Sequence, residues 1–239
     1  MINLSVNINK IASLRNTRDI NVPDLGDAVE LVIAAGCQGI TVHPRIDQRH
    51  IRFSDLQVVK AHINGRVEYN IECDPHELFI NMVLEVKPTQ CTLVPTKPNE
   101  ITSSEGFDLK VDYEDICKKV KLLKAAGIRT SLFSGTEIDQ IRLAKETGTD
   151  AIELYTGPYA MATGDRRKHY YEQLYAAAAL AHQLGLRVHC GHDLTLDNLG
   201  LIRNLPGLAE VSIGHHLIVQ AMFQGLPGII HQHLSILND

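Results

Sequence analysis

The chain has 239 residues, of which 44% are hydrophobic and 21% charged, with a formal net charge of −5. Such a balance fits one globular domain, and an acidic chain without a long basic block is a poor candidate for binding nucleic acid. Its longest wholly apolar run, Leu174 to Ala181, falls far short of the roughly 20 residues needed to span a membrane.

The opening stretch Ile2–Asn9 reads as a strand. No basic segment precedes it and no small-residue cleavage site follows, so it does not read as a signal peptide. Further strands are expected at Gly39–Pro44, Val67–Glu72, Gln90–Pro95, Arg129–Ser134, Ala151–Thr156, Arg187–His192 and Ala209–Gly214. Amphipathic segments alternate with them: Leu25–Ala35, Ser54–Ile63, Pro75–Val86, Tyr113–Ala126, Glu137–Glu146, Arg167–Leu184 and Thr195–Asn204. A last helix is expected to start near His216 and run toward the carboxyl end.

The turn residues agree with this reading. Gly36, Gly127, Gly148 and Gly185 each stand just past a helix and just before a strand, where the chain needs a positive φ. Asp74-Pro75 offers an N-cap followed by a proline at the first helical position, and Thr136-Glu137 can open a helix likewise. Strand–helix alternation at this spacing predicts a parallel sheet. Eight units in a chain of this length predict a (β/α)8 barrel in a single domain, since such barrels typically take about 250 residues. An open doubly wound sheet is disfavoured because no Gly-x-Gly-x-x-Gly turn follows the first strand. The intervals Pro44 to Val67, Thr96 to Asp112 and Gly157 to Arg166 leave room for covering loops or extra helices. Five cysteines without a C-x-x-C pair suggest reduced thiols and a cytoplasmic location.

A barrel fills its interior with apolar side chains and carries its chemistry where strands end. Polar residues at strand ends are therefore informative. The first strand ends with Asn7 and Asn9 on one face, the second with His43, and the third with Asn70 and Glu72. Glu153 and Tyr155 follow on the sixth, His189 and His192 on the seventh, and His215 and His216 after the eighth. Each has a plain structural reading: a hydrogen-bonded histidine, a salt-bridged glutamate, an asparagine satisfying turn backbone. So many on one rim point instead to catalysis.

Phosphate binding is a second theme. Loops after the seventh and eighth strands commonly hold phosphate in barrels; here they are Gly191-His192-Asp193 and Gly214-His215-His216. Arg18, Arg45, Arg49 and His50 are cationic candidates elsewhere. A metal site would need His43, His192 and His215 to converge with Glu72, and no compact H-x-H or H-E-x-x-H spacing supports it. A metal-dependent barrel hydrolase or aldolase is the alternative on this reading, and a barrel that only binds a phosphorylated metabolite is a third.

These residues resemble one known family across essentially the whole chain. The matching pieces are Val6-Asn7-Ile8-Asn9 with Ile11-Ala12-Ser13-Leu14-Arg15-Asn16, then Gly39-Ile40-Thr41-Val42-His43 with Arg45 and Arg49-His50-Ile51. Asn70-Ile71-Glu72, Leu93-Val94-Pro95, Glu100-Ile101-Thr102, Ile152-Glu153, Thr156-Gly157, Gly191-His192 and Ile213-Gly214-His215 follow in order. The family is that of pyridoxine 5′-phosphate synthases.

The resemblance implies a (β/α)8 barrel with extra helices, assembled as a homo-octamer, that uses no metal or organic cofactor. It implies two phosphorylated substrates, 3-amino-2-oxopropyl phosphate and 1-deoxy-D-xylulose 5-phosphate. By similarity His43 and Glu72 would accept protons, His192 would donate one, and Glu153 would stabilise the transition state. Asn7, Arg18, Asp193, Gly214 and His215 would hold the aminoketone phosphate. Asn9, Lys10, Arg45, His50 and Thr102 would hold the sugar phosphate. The chain differs from many members at Asn9-Lys10, where Asp-His is common, and at Asp193, where Gly is common. Asp193 is expected to turn away from phosphate, for example to cap the helix starting near Thr195.

Overall fold

Gly36, Gly127, Gly148 and Gly185 take φ values of 91°, 78°, 82° and 75°. Each closes a helix and delivers the chain to a strand, as a residue without a Cβ can. The computed structural model describes residues 1–96 and 103–238. Its strands are β1 (Asn3–Asn7), β2 (Gly39–Val42), β3 (Glu68–Cys73), β4 (Gln90–Leu93), β5 (Arg129–Ser134), β6 (Ala151–Tyr155), β7 (Arg187–Gly191) and β8 (Leu208–Ile213). They pair in sequence order and close, β8 on β1, with every pairing parallel. This is the expected (β/α)8 barrel.

The helices are α1 (Asn9–Arg15), α2 (Leu25–Ala34), α3 (Asp55–Ile63), α4 (Glu77–Val86), α5 (Tyr113–Ala125), α6 (Ile138–Glu146), α7 (Gly157–Met161), α8 (Gly164–Gln183), α9 (Leu196–Ile202), α10 (His215–Gln224) and α11 (Leu226–Asn238). Some boundaries depart from expectation. Asn9 opens a helix instead of ending a strand. Asp74-Pro75 does not start α4; the His76 side chain caps it, accepting from Leu78 N at 3.3 Å, while Asp74 accepts from His76 N at 2.9 Å. The single final helix is two, broken at Gly225 with φ 79°. The short α7 fills part of the irregular interval that follows β6.

Two faces of the sheet differ sharply. Outward residues such as Leu4, Val6, Ile40, Ile71, Leu93, Ile152, Val188 and Val211 are fully buried against the helices. The inward face carries Ser5, Thr41, Asn70, Thr92, Ser131, Glu153, His189, Glu210 and Ser212, all buried too. The apolar barrel interior expected from the sequence is therefore wrong for this chain. Burial of polar atoms demands partners, and a ladder supplies several. Ser5 and Thr41 hydroxyls meet at 2.7 Å, Asn70 Nδ2 donates to Thr41 Oγ1 at 3.4 Å, and Thr92 Oγ1 donates to Asn70 Oδ1 at 3.0 Å.

One buried ion pair fixes the long segment after β2. Arg15, at the end of α1, donates to both oxygens of Asp55 at 2.7 and 2.8 Å and to the His50 carbonyl at 3.2 Å. Asp55 also accepts from Arg52 N at 2.7 Å. Both side chains are at most 9% exposed, so removing one leaves an uncompensated buried charge. Asp55→Ala is expected to cost about 3–5 kcal/mol of unfolding free energy, measured by chemical denaturation; a loss below about 1 kcal/mol would contradict this account.

Candidate active site

At the carboxyl ends of the strands lies a cavity of about 810 Å³. His43, Glu72, Glu153 and His192 all line it, as do Asn7, Asn9, Lys10, Arg45, His50, Asp193, Gly214 and His215. Arg18 does not; it is exposed in the turn after α1. Thr102 lies outside the described residues.

Short side chains at the end of β1 place the first histidine. Asn7 Oδ1 accepts from Asn9 N at 3.0 Å, and Asn9 Oδ1 accepts from His43 N at 3.0 Å. An aspartate at position 9 would offer the same acceptor, so the Asn9 departure keeps this contact. His43 Nδ1 then lies 3.2 Å from Glu72 Oε2, both side chains being 7% exposed.

Burial pushes the Glu72 carboxyl up to about 7, with the Arg45 charge pulling it partly back. Near neutrality it is poised between acid and base. Glu153 is held well above the ordinary carboxylate range, first by burial and then by the charge of Glu72. One carboxyl thus stays protonated while its neighbour ionises, a separation that divides acid from base roles. Glu153 needs the bare backbone of Gly191 beside it: a Cβ there would collide with Glu153 Oε1.

His192 follows β7 in the left-handed region, with φ 81°, and Asp193 continues there with φ 55°. Neither is glycine, and such conformations cost of order 1–2 kcal/mol per residue. The His192 ring packs on Phe133 at 4.9 Å and on Tyr155 at 5.4 Å between centroids. Burial lowers its pKa to about 4 despite the nearby Asp193 carboxylate, so it is neutral at pH 7 and can offer a ring N–H.

His50 does not serve as a cation. Burial, then the charges of His43, Arg45, Lys10 and Arg49, lower it to about 3. Its Nδ1 accepts from Ile51 N at 2.9 Å, which leaves the Nε2 proton as a donor. Asp193 does not cap α9 either; Thr195 and Asn198 form a capping box there. Asn198 Nδ2 instead donates to the Asp193 carbonyl at 3.1 Å, and the Asp193 side chain remains exposed at the cavity. Across from it, Gly214 and His215 open α10 with backbone N–H groups at a helix start, a place suited to anions.

Arg167 and Asn198 are among the lining residues that escaped the sequence reading. Arg167 on α8 reaches the cavity, braced by Nε donation to the Ala162 carbonyl at 2.7 Å and by the Tyr159 ring. In the sequence it marks only the start of a helical segment, between Arg166 and Lys168. Asn198 was hidden inside a helix. Among the described residues no three His, Cys, Asp or Glu side chains are arranged to hold a metal ion, so the convergence of His43, His192, His215 and Glu72 on an ion is not found.

A (β/α)8 barrel with two paired carboxyls, two neutral histidines and cationic edges at its strand ends defines an acid–base enzyme of small anionic substrates. The chain belongs to the family of the pyridoxal phosphate biosynthesis protein PdxJ, whose sequence profile matches residues 4–239. It is 48% identical over 240 residues, covering all of both chains, to the pyridoxine 5′-phosphate synthase of Parabacteroides distasonis. It is 47% identical to that of Porphyromonas gingivalis, over 98% of each chain. Among solved structures, the YdjI aldolase of Escherichia coli superposes with a TM-score of 0.64 over 99% of this chain and 88% of that one. At 11% identity it shares the fold alone.

Burial of Glu72 has a measurable sign. Its folded pKa of about 7 lies above the ordinary 4.5, so the folded chain holds a proton that the unfolded chain has released. The stability this contributes is fully present below about pH 4.5 and is lost as pH rises through about 7. Glu72→Gln is therefore expected to gain in melting temperature relative to the unaltered chain as pH rises across that window. A difference that stays constant with pH would show that Glu72 is not buried in this way.

Proposed function

We propose that this chain is a pyridoxine 5′-phosphate synthase, joining 3-amino-2-oxopropyl phosphate to 1-deoxy-D-xylulose 5-phosphate and releasing pyridoxine 5′-phosphate, phosphate and water. The observation that carries the reading is the His43, Glu72, Glu153 and His192 ring in one cavity, in a chain nearly half identical over its length to enzymes of that name.

The chemistry asks for several proton transfers on one bound intermediate: imine formation between amine and ketone, elimination of phosphate, and ring closure. His43 and Glu72, sharing a hydrogen bond at 3.2 Å, act as proton acceptors. Neutral at rest, His192 takes up a proton, favoured by the adjoining Asp193 carboxylate, before it donates one, and protonated Glu153 stabilises charge that develops beside it. Positioned acids and bases of this kind contribute typically ~10²–10⁴-fold each. Asn7, Gly214, His215 and the backbone at Asp193 hold the aminoketone phosphate; Asn9, Lys10, Arg45, His50 and Thr102 hold the sugar phosphate. Arg18 requires movement of its turn, or a neighbouring copy of the chain, to join the first set. Two phosphates bound away from the reacting atoms supply orientation.

The enzyme works in the cytoplasm as a homo-octamer, with no metal or organic cofactor. Light scattering should then give eight times the 26.5 kDa chain mass, and turnover should survive exhaustive EDTA treatment. His43→Ala and Glu72→Ala are each expected to lower kcat at least about a hundredfold with the fold intact, read by phosphate release and product absorbance. Near-normal turnover in both would refute these roles. A pure unaltered chain that binds either substrate yet forms no product would refute the activity itself.

A further inference from the structure

Thr156 is the first residue past β6 and is wholly buried. It stands at the N-cap of α7, where a threonine hydroxyl ordinarily accepts from the helix's first N–H groups. It makes no such bond. Its Oγ1 instead lies 2.5 Å from the Gly191 carbonyl and 2.5 Å from the His192 carbonyl, and its N–H donates to Gly191 O at 3.0 Å. Successive carbonyls of an extended strand point to opposite sides. Here both turn to one hydroxyl, at the point where His192 enters the left-handed region.

Apart from its contact with the Gly191 backbone, the His192 ring has little else to fix it. Its Nδ1 is buried with no hydrogen-bond partner among the described residues, and its neighbours Phe133 and Tyr155 pack on it ring to ring. Where the ring points is therefore set by the backbone beneath it. We propose that Thr156 is a positioning residue: its hydroxyl, shared between the Gly191 and His192 carbonyls, holds the turn after β7 in the conformation that presents the His192 ring to the substrate. This rests on the synthase reading. It also links the end of β6, which carries Glu153, to the histidine on the adjoining strand.

The test compares Thr156→Val, which keeps the shape and loses the hydroxyl, with Thr156→Ser, which keeps the hydroxyl. Valine is expected to lower kcat at least tenfold with KM for both substrates within about threefold, and serine to stay within threefold of the unaltered enzyme. In a His192→Ala background the valine change should cost nothing further, since it acts through that ring. Unchanged kcat in Thr156→Val, equal loss in Thr156→Ser, or additive losses in the double variant would each overturn the proposal. Should the valine chain fail to fold, Thr156→Ala replaces it with the same expectations. The His192 ring resonances, read by NMR without turnover, should shift in the valine or alanine chain and not in the serine chain. An inactive unaltered chain thus counts against the synthase reading, whereas unmoved resonances count against Thr156.

Discussion

Two carboxyl groups, Glu72 and Glu153, are buried within one cavity, and burial disfavours charge on either. Ionising both would set like charges together in a medium that screens them weakly. The site is built around that restriction. Arg45 lowers the cost of charge at Glu72, and His43 meets that carboxylate directly. Among the described residues Glu153 has no comparable cation, and it retains its proton. The neutral state of His192 and His50 follows from the same dry surroundings. A single physical condition, exclusion of water, thus sets the protonation of the acid, the base and the donors together.

Holding these groups falls to small polar residues in the backbone turns around them. Asn7 and Asn9 pass a relay of accepted N–H bonds from β1 to His43. Thr195 and Asn198 close the start of α9, while Tyr159 donates to the Asn198 carbonyl at 2.7 Å. Arg15 and Asp55 tie α1 to the segment carrying His50. The Asn9–His43, Tyr159–Asn198 and Arg15–Asp55 contacts join different βα units, so the site is fixed by agreement between strands as well as within single turns.

How much of this could be read from the sequence follows from the range of the interactions concerned. The strands and their glycine-led turns depend on local backbone preference, and Gly36, Gly127, Gly148 and Gly185 marked them correctly. Polar strand ends pointed to the rim, because period-two alternation needs no partner strand to be read. The helix start at Asn9 was missed, since its side chain is committed to His43, 34 residues away. Asp193 was misassigned because the actual cap depends on Thr195 pairing with Asn198. Arg18 and Arg167 exchanged places, one expected in the cavity and the other found there. Charge alone does not reveal which way a helix or turn faces. The polar inner face was also visible as Ser5, Thr41, Asn70 and Thr92, but a general rule about barrel interiors displaced the evidence of the residues themselves.

That inner column has a thermodynamic consequence. Exposing apolar surface raises the heat capacity of the unfolded chain, whereas exposing polar surface lowers it. A barrel whose apolar layer lies mainly between sheet and helices, with many hydroxyls, amides and carboxyls at its axis, has a smaller heat-capacity change on unfolding than one filled with branched aliphatics. Its stability curve is correspondingly flatter, so folding free energy varies less across the temperatures at which the protein works.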